Sequence, residues 1–425
     1  MISPRAVLFA SPDRRSRMGR NASALLALLV PMVPILASGS GCGQEKALSA
    51  GDDGGEPGQI SVIPDASAAS DSNAAKASSV WTNRTQGTPA SGQEWLAVAS
   101  DAAGTNLVAV SSTATAPGDL VSGFWTSTNG GSSWVRVGQN TGYGSVASNA
   151  AGTVFIAAGG GGGVLGDQPV WTSTNSGTDW AFKELMLVSS AVASDATGTH
   201  FVVGSEHGWI LTSSDSGASW TNQTPSGPAN EQNWISVASS ATGNELVALS
   251  GGNNTANCPL DCPPFGDIWT SPDSGVTWLD RTATGPAHGV HWTSVASDAS
   301  GMKLVAVGSG IWTSSDAGLT WTQRTVPSGL SASSDFWVSV ASDATGKHLI
   351  AATYGDPGSG GTAGGGGGFE PQVAGNVFTS ANAGLSWTNE TAGTAAADQN
   401  WIGVASDATG AHLVAVANLG DIWTN

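Results

Sequence analysis

The chain has 425 residues, a formal charge of −18 and only 11% charged residues, with 59 Gly and 18 Trp. That length suffices for a large core, and the Gly- and Trp-rich mixture suits many short strands and tight turns rather than long helices. The acidity argues against nucleic acid and an anionic membrane surface as partners, because both are held through basic patches and a chain of this charge repels them.

Residues 1–20 carry Arg5, Arg14, Arg15, Arg17 and Arg20, and an apolar run follows from Ala24 to Leu36, interrupted by Pro31 and Pro34. The run is shorter than the roughly 17–25 residues a spanning helix needs. A basic start, a short apolar run and then small residues read as a secretory signal over residues 1–42. The end, Ser38-Gly39-Ser40-Gly41-Cys42, resembles a bacterial lipoprotein processing site, at which Cys42 would be lipid-modified. Gly39 stands where that family usually has Leu, so simple secretion with cleavage after Gly39 is the alternative. The expectation is an exported protein of the cell envelope, held to a membrane only through a lipid anchor, or a secreted one. Removing residues 1–42 deletes five Arg and Asp13, which takes the charge from −18 to −22 and leaves nine Lys and Arg. Residues 43–79, rich in Gly, Ala, Ser and Asp without an apolar period, read as a flexible linker.

From Val80 to Asn425 the chain repeats. Val-Ala-Ser recurs at Val98, Val146, Val192, Val237, Val295, Val340 and Val404. Each copy reads in one order: a strand such as Trp234 to Ser239, a Ser-Asp-Ala-Thr-Gly turn, a second strand, a third such as Ile268 to Ser271, and a fourth opened by Trp. The turn before that Trp is an octet, S-x-[DN]-x-G-x-x-W, at Ser213–Trp220, Ser271–Trp278 and Ser314–Trp321 with Asp, and at Ser127–Trp134, Ser173–Trp180 and Ser380–Trp387 with Asn. Its third residue (Asp215, Asp273, Asp316, Asn129, Asn175, Asn382) can accept backbone N–H bonds further along the turn, and its Gly permits a positive φ. Four short antiparallel strands in a repeat of about 45 residues predict a propeller blade. The seventh copy stops after its third strand at Ile422-Trp423-Thr424-Asn425, and Trp81-Thr82-Asn83-Arg84-Thr85 matches the missing fourth. The prediction is an all-β fold: a seven-bladed β-propeller of four-stranded antiparallel blades, with the N-terminal strand completing the last blade and closing the ring.

The six octets resemble the Asp-box (BNR) repeats of the sialidase-like propeller superfamily, over residues 80–425. In that family the box is a structural turn remote from the active site, so the resemblance implies no catalytic role for its Asp residues. It also implies what a sialidase would carry: three inner-strand Arg clamping a carboxylate, a Tyr nucleophile paired with Glu, an acidic Asp and an Arg-Ile-Pro motif. Here Arg84, Arg136, Arg281 and Arg324 all fall in fourth strands, only Tyr143 and Tyr354 exist, and Arg-Ile-Pro is absent. A true sialidase is not expected. Other members are glycan hydrolases using paired carboxylates or assembly factors with a basic patch, and the sequence reads as lacking such a patch.

Up-and-down strands give the repeat two faces. One holds the Ser-Asp-Ala-Thr-Gly turns and the octets; the other holds the inter-repeat links and the long loops 111–122, 159–169, 251–266 and 353–375, where binding residues are expected. Most Trp residues should be core, but Trp234, Trp292, Trp337 and Trp401 open first strands and are candidates to present rings at a channel mouth, with Glu94 and Glu231 beside them. Asp119, Asp167, Asp261, Asp356, Glu370, Asp335 and Asp398 could supply carboxylates, and no spacing singles out a pair. Cys258 and Cys262 suggest a local disulfide in an exported protein; no third Cys or nearby His makes a zinc site, and no metal or cofactor is expected. His200, His348 and His412 repeat at one turn position and should be structural. The functional expectation is a non-catalytic binding module for a glycan or an envelope protein, its oligomeric state open and a monomer assumed; the alternatives are a glycoside hydrolase using two carboxylates and a purely structural envelope protein with no discrete ligand.

Overall fold

Each Val-Ala-Ser segment forms a strand because β-branched and small residues suit a pleated surface packed closely on its neighbours. The second strands are buried almost throughout, as in Leu246–Ser250, Leu304–Gly308 and Leu349–Thr353. Such unbroken apolar runs mark strands covered on both faces. The computed structural model describes residues 80–112, 114–116, 119–120, 122–140, 144–159, 169–185, 189–205, 208–251, 266–325, 337–354 and 375–425. The leader, Cys42, the linker, Cys258, Cys262, Asp167, Asp261, Asp335, Asp356 and Glu370 lie outside them. Among the described residues no helix is long and apolar enough to cross a membrane.

Five four-stranded antiparallel sheets follow in chain order among the described residues, within 145–184, 189–222, 234–280, 292–324 and 337–389. An eight-stranded sheet holds two further groups of four. One comprises Gln93–Ser100, Leu107–Ser112, Ser122–Ser127 and Val135–Asn140. The other comprises Trp401–Ser406, Leu413–Gly420, Ile422–Thr424 and, from the start of the domain, Thr82–Asn83. Thr82 pairs with Thr424 and Asn83 with Trp423. The two groups are joined where Gln93 meets Gly420 and Glu94 meets Asn418. A small hairpin of Ala114–Ala116 and Asp119–Leu120 stands apart.

The core lies between sheets. One cluster joins Ile350, Ala352 and Val377 of one sheet to Trp401, Val404 and Trp423 of the next, with Trp81 from the N-terminal segment. First-strand Trp rings meet third-strand rings edge-on, at centroid distances of 5.7 Å for Trp95–Trp125, 6.0 Å for Trp234–Trp269 and 5.2 Å for Trp337–Phe378. Trp81 lies 6.5 Å from Trp401, much as Trp134 lies 6.4 Å from Trp95. Burying each such ring contributes about 4–6 kcal/mol of gross hydrophobic free energy.

The turns add a second tie. Ala102 N–H donates to the Ala150 carbonyl, Ala150 to Ala196, Ala196 to Ala241, Ala241 to Ala299, Ala299 to Ala344, Ala344 to Ala408, and Ala408 back to Ala102, all at 2.9–3.0 Å. Each is the Ala of one Ser-Asp-Ala-Thr-Gly turn or its variant, so one backbone hydrogen bond links every turn to the next.

Candidate functional site

The octets are self-contained. Ser213 Oγ donates to Asp215 Oδ1 (2.8 Å) and accepts from Gly217 N–H (2.9 Å), while Asp215 accepts from Ser219 N–H (2.8 Å) and Ser219 Oγ–H (2.6 Å). Ser216 and Gly217 take φ of 59° and 88°. The hydrogen bonds, the Ser219 hydroxyl first, hold the Asp215 carboxyl down to about 2. At Asp273 and Asp316 burial pushes the pKa up, and the bonds from the turn outweigh it, so both end below the ordinary value. The carboxylates of the octets are thus spent on their own turns.

The Ser-Asp-Ala-Thr-Gly turns use a buried acceptor. Asp343 takes N–H bonds from Thr345 and Lys347 (3.1 and 3.0 Å), the Thr345 hydroxyl (2.8 Å) and His348 Nδ1 (2.7 Å). His200 and His412 meet Asp195 and Asp407 in the same way, at 3.0 and 2.8 Å. These His residues are therefore structural, as their repetition suggests. In the 234–280 sheet Ser240 replaces the Asp, and Glu245, at the His position, returns a carboxylate to it through Ser240 Oγ (2.8 Å).

The opposite face carries less regular chemistry. Glu94 opens the first strand Gln93–Ser100, opposite Ser112 on one side and Asn418 on the other. Residues directly opposite in an antiparallel pair project from the same side of the sheet, with Cβ atoms about 5 Å apart. Asn418 N–H also donates to the Asn400 carbonyl (2.8 Å). Glu94, Asn400 and Asn418 thus meet at one seam from three separate segments. The Oδ1 atoms of Asn400 and Asn418 are shielded from solvent and have no hydrogen-bond partner among the described residues. A buried polar oxygen left without a donor is uncommon and calls for a water or ligand group. The backbone is unusual here as well. Outside the octets, the non-Gly residues with positive φ among those described are Asp398 (60°) and Leu419 (53°), flanking this trio. Leu419 is also 73% exposed. A bulky residue in a left-handed conformation is strained, and such strain gathers at functional sites.

Solved structures place the architecture. A GH74 xyloglucanase from Xanthomonas campestris superimposes with a TM-score of 0.58 at 17% identity, over 81% of this chain and 53% of that one. YCF48 from Cyanidioschyzon merolae gives 0.55 at 10% identity, over 81% and 98%, and YCF48 bound to D1 peptide gives 0.51 at 13%, over 81% and 95%. The chain is a β-propeller. It spans about half the length of the xyloglucanase, and at these identities the likeness concerns the fold alone. No protein-family model and no curated protein sequence matches it.

Within the propeller, Trp234, Trp292, Trp337 and Trp401 do not present free rings at a channel mouth: they are 0–2% exposed. The chain bulges between each Trp and the second residue after it, which turns the ring into the inter-sheet core. Their expected role as a ligand platform is corrected to core packing. Glu94 does lie at the rim, and Glu231 ends the short 3-10 helix Pro228–Glu231. Asn400 and Asn418 escape sequence reasoning, although one signal exists: the residue before a first-strand Trp is polar at Glu94, Asn233, His291 and Asn400.

Proposed function

We propose that residues 80–425 form a seven-bladed propeller of the Asp-box, sialidase-like kind, closed where Thr82–Asn83 completes the last blade, and that it acts as a non-catalytic binding module. Support for closure comes from the Ala408-to-Ala102 hydrogen bond and from the pairing of Thr82 with Thr424. The protein is exported, anchored through Cys42, and takes a glycan or an envelope protein at the Glu94–Asn400–Asn418 rim. Propellers include a xyloglucanase and a protein solved with a peptide, so the fold leaves both ligand classes open.

The observation that carries the binding reading is the chemistry of the first strands. Among those described, Glu94 is the one ionisable residue. Paired-carboxylate glycoside hydrolysis needs two carboxyl groups about 5–10 Å apart, and these strands do not furnish a pair. A single carboxylate at the rim, opposite Ser112 and Asn418 on the strands either side, suits instead a hydroxyl-rich ligand, held without bond cleavage. The test compares the wild type with Glu94→Gln, Asn400→Ala and Asn418→Ala on a glycan array and against immobilised envelope extract, with release of reducing sugar followed in parallel. Each variant should keep the wild-type melting temperature and bind about tenfold more weakly, the scale of one lost hydrogen bond to a charged or buried group. Unchanged binding in all three moves the site elsewhere, and sugar release by the wild type makes the protein a hydrolase.

A further inference from the structure

On the turn face, grooves open between adjacent sheets, and four of them are built from the same repeat positions. Each has a side chain three residues after the fourth-strand Trp: Gln223, Arg281, Arg324 or Arg84. Each also has the residue that follows the turn Gly by two: His200, Glu245, Lys303 or His412. The first kind lies against a third-strand Thr. Gln223 Nε2 reaches Thr212 Oγ1 at 2.7 Å, and the Nε atoms of Arg281 and Arg324 reach Thr270 and Thr313 Oγ1 at 2.6 Å. The architecture is constant, but the charge is not.

The groove at Gln223 and His200 has no Lys, Arg, Asp or Glu in its wall, and the one at Arg281 sets that cation against Glu245. Only the groove between the 292–324 and 337–389 sheets, of the four, combines Lys303 with Arg324 and has no carboxylate in its wall. Ser314, Ser315 and Ser342 add hydroxyls. The carboxylates of the surrounding turns are engaged locally: Asp298 with Ser300, Asp316 with Thr320, Asp343 with His348. Arg324 uses Nε on Thr313, and its two terminal nitrogens have no partner among the described residues. Lys303 Nζ sits on the Thr345 carbonyl at 2.7 Å, and Lys347 follows on the same turn. Residues 80–425 hold seven Lys and Arg, and two of them line this one groove.

We propose that this groove is an anion site for a phosphate or sulfate monoester, distinct from the rim on the other face. Its volume, about 100 Å³, is several times the roughly 10–15 Å³ that one water needs, so a tetrahedral oxyanion fits. The planar guanidinium fork of Arg324 grips two oxygens, Lys303 supplies a second positive charge, and the Ser315 hydroxyl donates to a third oxygen, while those of Ser314 and Ser342 are already given to Asp316 Oδ1 and the Asp343 carbonyl. In a protein of formal charge −18 such a site does not arise from general basicity, so it should discriminate by geometry.

The repeat supplies its own conservative variants. Gln occupies the Arg324 position at Gln223, and Asn occupies the Lys303 position at Asn106, where Nδ2 donates to the turn carboxylate Asp101 at 2.8 Å. Arg324→Gln and Lys303→Asn should therefore fold with wild-type melting temperatures. Calorimetric titration with inorganic phosphate, inorganic sulfate, glucose 6-phosphate and vesicles of an anionic phospholipid separates a free oxyanion, a sugar ester and a lipid headgroup. The wild type should bind at least one of these with an affinity that falls as salt rises, and each variant should weaken it about tenfold or more. The pair Gln223→Arg and His200→Lys should raise binding by installing a second site. No binding by the wild type to any of the four probes overturns the proposal, as does binding that survives both substitutions.

Discussion

Asp343→Ala tests whether the buried turn acceptors, rather than strand pairing alone, hold neighbouring sheets in place. The carboxylate is 1% exposed and takes bonds from two backbone N–H groups, a hydroxyl and His348 Nδ1. Ala leaves these donors without an acceptor at the point where the Ala344 N–H must reach the next turn. Net loss per such bond is about 1 kcal/mol, larger for a charged acceptor, and water can replace part of it at a turn. The expected destabilisation is about 2–4 kcal/mol. Asp343→Asn should cost about half that, because Asn149 fills the same place in its own turn, with Oδ1 accepting from Thr153 and Val154 N–H at 2.9 and 3.0 Å.

The pH dependence has a definite sign. Burial pushes the Asp343 pKa up, but the bonds from His348 and Thr345 outweigh it and leave it below 3.8. A carboxylate with a depressed folded pKa gives stability that is complete above the unfolded value and is lost as pH falls through the folded one. The gap between wild type and Asp343→Ala should therefore be constant at neutral pH and narrow below pH 3.8. Urea melts followed by Trp fluorescence measure the gap, and amide exchange at Lys347 reports the local opening. A gap under about 0.5 kcal/mol at pH 7, the usual scatter of surface substitutions, or one that widens on acidification, refutes the reasoning.

Thr85→Val removes a hydroxyl that donates to Asp421 Oδ1 (2.8 Å) and accepts from Ile422 N–H (3.0 Å) at a fully buried position; if the ring closes at this seam it should cost about 2 kcal/mol and lower the melting temperature of the whole domain, whereas an unchanged midpoint would mean that the N-terminal strand is dispensable. Cys42→Ser should move the protein out of the membrane fraction, since each buried acyl CH₂ holds a lipidated protein by about 0.8 kcal/mol; identical fractionation rules the anchor out. His288 Nδ1 lies 2.9 Å from Asp267 Oδ1, and that hydrogen bond raises the His288 pKa above 6.5. The stabilisation it gives should be present below pH 6.5 and lost as pH rises through the folded value, so NMR should show a midpoint above 6.5 that returns toward it in Asp267→Asn, and a wild-type midpoint at or below 6.5 contradicts the assignment.

The octets and the strand order are legible in the sequence because their physics is local. A Ser hydroxyl, an Asp or Asn oxygen and a Gly with positive φ form the octet turn within eight residues, whatever surrounds it. The Trp residues show where such legibility ends. Their spacing identifies first-strand positions correctly, but which face a ring takes depends on the bulge after it, and the bulge exists to fit the neighbouring sheet. Charge was hidden for a related reason. Lys303, Arg324 and Lys347 are 21 and 23 residues apart in sequence, a spacing that looks random until the chain is wrapped into sheets. The turn Gly of one sheet then settles onto the residue two places beyond the turn Gly of the previous one: a Cβ at Gly346 would lie 2.8 Å from Lys303 Cβ, as one at Gly410 would lie 2.4 Å from His348 Cβ. Wherever the repeat places a side chain against its neighbour, substitution is free to change the chemistry without changing the fold. Glu245, Lys303 and His348 occupy one such position in three successive sheets, and they differ in charge while the backbone around them does not. Function in this propeller is therefore to be sought at positions where the repeat departs from itself: the rim at Glu94, Asn400 and Asn418, and the groove at Lys303 and Arg324.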